Sequence, residues 1–235
     1  MPLKGSLMKS KTILSLIGFP LASLVIFFVL TNSRPIINLS AANMEQKVML
    51  NKETRQVENF DSINIQGDYS IEIVCQEEPS IELQSFKDIL TLVQTEVRDN
   101  TLFIFPKSKI PNDEDIKIKI SAINLNNIYA LGANNIRVNN LKNEQTNINL
   151  NGSSNSKIFG KTGELNVTIS GQANFDAQKF ASQKVKLDLS GSVMIQVQAN
   201  EKLDIAMNGA GAIYYHGNPK IATRNIKGPV IIKQK

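Results

Sequence analysis

Two carboxylates in neighbouring stretches of this chain come closest to a catalytic pair. Asp188 and Asp204 stand sixteen residues apart, each in an alternating run of polar and apolar residues, with Asp176 a little upstream. Cleavage of a glycosidic bond needs two carboxyls about 5–10 Å apart, and strands stacked about 4.8 Å apart would bring such residues near that spacing. No third acid and no outward arginine joins them, so they read as solvated charges rather than a reaction centre. His216 is the single histidine and Cys75 the single cysteine. A lone imidazole beside a Gly-Asn-Pro turn has no partner for base or ligand chemistry. Cys75 can form no disulfide within the chain, and it shares a strand face with Ile71 and Ile73, the pattern of a small buried hydrophobe. Zinc-ligand spacing does not occur, and the Asp of calcium-binding repeats is replaced by Asn or Ser. Gly209-Ala210-Gly211 lacks the following helix and Lys-Ser/Thr pair of a phosphate loop. The sequence therefore predicts no enzyme, no metal and no cofactor.

The elements around these residues repeat. Gly132, Gly152, Gly171, Gly191, Gly209 and Gly228 follow one another at gaps of 20, 19, 20, 18 and 19 residues. Aligned on the glycine, four columns are mostly apolar. They are Ile128, Ile148, Val167, Leu187, Ile205; then Ala130, Leu150, Ile169, Leu189, Met207; then Ile136, Ser156, Phe175, Ile195, Ile213; then Val138, Ile158, Ala177, Val197, Tyr215. Spacing by two puts each pair of columns on one strand face, and the glycine stands where the chain must turn. One such winding cannot bury its apolar row, but stacked windings can. The pattern predicts an all-β, right-handed parallel β-helix of about 5–6 windings of 18–20 residues. An antiparallel sandwich or barrel is the competing arrangement.

On such a stack the polar columns face out. Asn127, Asn147 and Asn166 form one; Tyr129, Asn149, Thr168 and Asp188 form the next. Stacked amides hydrogen-bond along a ladder, which is structural. They can also meet sugar hydroxyls, so these seven residues are the candidate ligand-binding set.

Residues 13–30 are uncharged and mostly apolar, and Lys4, Lys9 and Lys11 precede them. That length approaches a bilayer span, with the basic flank on the cytoplasmic side. A cleaved signal peptide is the competing reading. Either way residues 1–33 predict export, either anchored in the inner membrane with the domain in the periplasm or outside the cell, or secreted after cleavage. Residues 34–56 read as a linker and 57–235 as the folded domain. The net charge is +5 overall, and removing the three leader lysines leaves about +2, too little and too scattered for a nucleic-acid face. Between residues 57 and 125 strand signals occur without the strict period. They predict irregular first windings or a separate antiparallel layer, either of which would cover the open top of the stack.

The segments FDSINIQGDYSIEIVCQ, NTLFIF, NIYALGANNIRV, LNGSSNSKI, ISGQANFDA, LSGSVMIQV and MNGAGAIYYHGNP resemble the bacterial "putative auto-transporter adhesin, head GIN" domain, a family of unknown function, over about residues 60–232. The resemblance implies a β-helical, exported, envelope-associated domain. Ser156 and Tyr215 depart from the plainest family pattern at inward positions. The expected function is an adhesin-like binding module for an envelope polysaccharide or a protein. The alternatives are a carbohydrate-active β-helix enzyme and a scaffold that self-associates through its ends.

Overall fold

The computed structural model describes residues 50–111 and 115–235. The apolar segment 13–30, and with it the predicted anchor, lies outside the described residues, as does the linker up to residue 49. Among the described residues no helix is long and apolar enough to cross a membrane.

The described chain is almost entirely strand: β1 (Asn51–Gln56), β2 (Ser62–Gln66), β3 (Tyr69–Cys75), β4 (Ser80–Ser85), β5 (Val93–Arg98), β6 (Thr101–Pro106), β7 (Lys117–Ala122), β8 (Asn127–His216), β9 (Lys220–Lys227) and β10 (Val230–Gln234). A single helical turn, α1 (Lys87–Leu90), interrupts them. β8 is one run of extended backbone that its glycines bend into successive windings. At Gly171 the backbone has φ +129°, where an L side chain is strained, and a Cβ there would strike the carbonyl of Gly152, one winding earlier. The same contact joins Gly132 to Gly67, Gly152 to Gly132, Gly191 to Gly171, Gly209 to Gly191 and Gly228 to Gly209. The corner is closed by backbone on backbone, which leaves no room for any other residue type.

The strands at both ends pair in parallel with β8. β2 aligns Ser62 with Asn127, and β3 aligns Tyr69 with Asn134. At the far end β9 aligns Lys202 with Lys220, and β10 aligns Gly211 with Val230. The expected inward columns are buried at every position except Tyr215, which is half-buried. Ser156 is buried like its apolar neighbours, and its hydroxyl shares a hydrogen bond with Ser154 at 3.3 Å. The expected outward columns are exposed or half-buried.

A third inward wall escaped the glycine alignment. Leu141, Leu165, Phe180, Val185, Ala199 and Leu203 are buried there, with Thr146, Thr162 and Ser182 among them. Thr146, Leu165, Val185 and Leu203 each stand six residues before a corner glycine, one step of two beyond the columns read from the sequence, whereas Leu141, Phe180 and Ala199 stand nine, nine and eight residues after one and drift as the windings change in length.

Residues 57–125 are both of the things the sequence allows. β2 and β3 make a winding that lies against the first winding of β8, and β6 and β7 pair in parallel with its other side. In space the order is therefore β6–β7, then β2–β3, then β8, out of sequence order. Around this, β1, β4 and β5 run antiparallel, pairing β1 to β4, β4 to β7 and β5 to β6. The hairpin between β5 and β6 turns at Asp99 and Asn100, both at positive φ (46° and 57°), as a two-residue loop of matching twist demands. The linker reading of residues 51–56 is corrected here: they are strand β1. Arg55 anchors it, donating to the carbonyls of Val93 (2.8 Å) and Leu90 (3.2 Å) and to the Thr95 hydroxyl (3.1 Å), with Glu53 on its Nε at 2.7 Å.

Candidate functional site

The amide column is built by the glycine-set register. Because windings superpose, Asn127, Asn147 and Asn166 lie in line, and each side chain reaches the next. Asn166 donates to Asn147 at 3.1 Å, Asn147 to Asn127 at 2.9 Å, and Asn127 to the Ser62 hydroxyl at 2.9 Å. The amides all donate in the same direction along the stack, and these half-buried groups hydrogen-bond to one another.

Beside the ladder the chain turns a corner into a groove of about 850 Å³ lined chiefly by amides: Asn124, Asn126, Asn143, Gln145 and Gln183, together with Asn127 and Asn147 from the ladder itself. Lys142, Lys161 and Glu144 lie on its rim. Asn143 is held in place, donating to the Leu125 carbonyl at 2.6 Å and accepting from the Thr146 hydroxyl at 2.7 Å. Asn126 leans on Asp61 at 3.4 Å. Each amide offers two donors and an acceptor with two lone pairs, so a row of them presents alternating donors and acceptors with little net charge. That suits hydroxyl-rich ligands. Of the seven predicted ligand residues, the structure brings Asn127 and Asn147 into this groove and continues their ladder to Asn166. Tyr129, Asn149, Thr168 and Asp188 sit apart, exposed on the adjoining flat strand face. Asn124, Asn126, Asn143, Gln145 and Gln183 were missed, since Asn124 and Asn126 lie at the irregular entry to β8 and the other three lie beyond the columns aligned on the glycine.

The three aspartates that the sequence singles out stand in different surroundings. Lys202 holds Asp204 at 2.8 Å, Asp176 accepts from the backbone and side chain of Gln178, both at 3.1 Å, and Asp188 is exposed. Among the described residues no group of three His, Cys, Asp or Glu could hold a metal. Cys75 is buried, and burial pushes its thiol up to about 12. Burial, with the Asp68 carboxylate adding to it, does the same to the Tyr69 hydroxyl, up to about 12. These groups stay protonated and inert at neutral pH.

A family model described as "putative auto-transporter adhesin, head GIN domain" matches residues 59–219. The chain belongs to this family. The GIN domain match spans β2 to β8, the corner glycines from Gly132 to Gly209 and the amide groove together. One solved structure shares the fold, and two more are similar at a lower level. A "putative adhesin" from Bacteroides fragilis has 24% identity and a TM-score of 0.65, covering 80% of this chain and 97% of that one. A "putative adhesin" from Parabacteroides merdae has 19% identity and a TM-score of 0.49, covering 80% and 95%. A "putative lipid binding protein" from Parabacteroides distasonis has 18% identity and a TM-score of 0.48, covering 80% and 96%. Among the curated proteins there is no match.

Proposed function

We propose that this GIN domain is a right-handed parallel β-helix, exported and held at the cell envelope, that works as a non-enzymatic binding module. Its amide-lined corner takes a hydroxyl-rich polymer of the envelope, a polysaccharide. The observation that carries this reading is the groove itself: seven side-chain amides converge on one concavity, while Asp176 and Asp204 are held by their own neighbours and Asp188 stands exposed. Parallel pairing at both ends of β8 and glycine-on-glycine contacts support the helix. The apolar segment 13–30 behind three lysines supports export. Neutral amides bind hydroxyls without the desolvation cost of burying charge, and a shallow groove with one exposed tyrosine nearby suits an extended chain better than a small ligand.

Titration calorimetry of the protein against purified envelope polysaccharide tests this. Replacing Gln145 and Gln183 by alanine, both exposed, with Gln145 touching the ladder only through a 3.3 Å bond to Asn147, is expected to weaken binding at least ten-fold with little change in melting temperature. Undiminished binding by the double variant would remove the groove from the account. Release of reducing or unsaturated sugar ends would replace binding by catalysis.

A further inference from the structure

The far end of the stack is unfinished. β9 and β10 each pair with β8 on one side, and among the described residues no strand pairs with the other. Ile221 lies in register with Leu203, and Ile226 with Met207, so both belong to inward columns. Leu203 and Met207 are 0% and 1% exposed, whereas Ile221 and Ile226 are 40% and 38% exposed. The last winding thus offers a row of backbone N–H and C=O groups that no described strand pairs, beside inward apolar side chains that no described residue buries. Such an edge is a template for another strand.

Its charge says which strand. From residue 205 to residue 235 the chain has five Lys and Arg (Lys220, Arg224, Lys227, Lys233, Lys235) and no Asp or Glu. Residues 50–125, by contrast, have eight Lys and Arg against fourteen Asp and Glu. Two copies meeting through this end would oppose five cations to five. A bulge at Asn225, at φ +52°, also breaks the ladder between Ala206 and Met207, a further obstacle to flat stacking of copies. The linker of this chain is an equally poor occupant, since residues 34–49 hold Arg34 and Lys47 against Glu45. A nucleic acid or an anionic polysaccharide would satisfy the cations, but neither the backbone ladder nor the isoleucines.

We propose that the open edge of β9 and β10 is a docking site for an extended acidic polypeptide segment, alternating apolar and carboxylate side chains, that adds as a further strand. Its backbone completes the ladder, its apolar side chains cover Ile221 and Ile226, and its carboxylates meet the lysines. The same lysines that oppose two copies meeting through this end select this partner. The site is independent of the amide groove.

The test uses the full chain in detergent and a fluorescent ten-residue peptide alternating Ile and Glu. Its controls are an Ile–Lys peptide, an Ile–Glu peptide with a central proline, and dextran sulfate. Saturable binding of the Ile–Glu peptide is expected, at least ten-fold tighter than either control peptide and weaker with rising salt. Lys220→Glu with Lys227→Glu should weaken it at least ten-fold. In the unaltered protein, hydrogen exchange should show slowed amides in residues 220–234 on adding the peptide and none on adding dextran sulfate. Equal binding of all three peptides, binding without amide protection, or concentration-dependent self-association that already protects residues 220–234 would each overturn the proposal.

Discussion

The two ends of this molecule solve the same problem in opposite ways. At the β1 end the outermost winding is β6–β7, and its inward residues Leu102, Ile104, Ile118 and Ile120 are fully buried. α1 packs against β4 and adds Ile89 and Leu90 to the same buried core, β4 and β5 turn antiparallel along the edges, and Arg55 ties β1 to the backbone of β5 and α1. At the β9–β10 end the last winding stops with its isoleucines about two-fifths exposed, protected by charge and a bulge. One end is closed by packing, the other by repulsion. The difference teaches that stability is concentrated where the chain crosses over itself, while the open end stays available for association.

The largest expected effect lies between the two ends, where every winding depends on the one before. Gly171→Val places a β-branched side chain at φ +129° and against the Gly152 carbonyl. Strain and clash together are expected to cost about 3 kcal/mol or more, measured by chemical denaturation, and a loss below about 1 kcal/mol would mean the corner yields. Next comes a matched pair that sharpens the contrast. Leu90→Ala at the closed end should cost about 2–5 kcal/mol, but Ile221→Ala at the open end only about 1 kcal/mol, since so much of its side chain is already in water. Equal losses would erase the distinction. Arg55→Ala removes a charged donor from two carbonyls and a hydroxyl and should cost about 1–3 kcal/mol, with proteolysis beginning at β1. Asn147→Ala breaks the middle of the ladder and should cost about 1 kcal/mol.

A smaller effect separates the ends by pH. Cys75 and Tyr69 lie in the winding next to the closed end, and burial raises both groups to about 12. Their unfolded values are 9.0 and 10.0 respectively. The folded state therefore holds protons that the unfolded state releases, and this contribution is intact below pH 9 and fades as pH rises towards 12. Cys75→Ala should flatten the alkaline decline in melting temperature. A parallel decline in both proteins would show that the thiol titrates freely.

How much of this could be read from the residues differs along the chain. The windings of β8 were legible because a glycine is the one residue that fits its corner, and it marks every turn. The inward columns beside it followed by counting in twos. The third wall did not: Leu165, Val185 and Leu203 continue that count six residues before each glycine but went unread, and Phe180 and Ala199, nine and eight residues after one, stand at offsets that shift with winding length. The closed end was hidden for another reason: β6–β7 is placed outside β2–β3, so the spatial order departs from the sequence order and no period survives. Arg55 looked like a linker residue because its partners, Val93 and Leu90, are set by that crossover. At the candidate site the Asn127–Asn147–Asn166 column was visible as a column, but the groove was not. Gln183 and Asn124 reach it from different windings and different walls, and only the three-dimensional corner brings them together.

Superposition of like positions on successive windings is what both the groove and the open edge rest on, and a cross-link tests it most directly. Thr168 and Asp188 stand in one outward column, twenty residues apart and offset as Gly171 is from Gly191. Adjacent parallel strands put such Cα atoms about 4.8 Å apart, within the range a disulfide bridges. With Cys75 replaced by alanine, cysteines at positions 168 and 188 should oxidise to a single bridged species, identified by mass spectrometry of the digested protein. Two thiols that remain free and alkylate readily in the folded variant would contradict the stack.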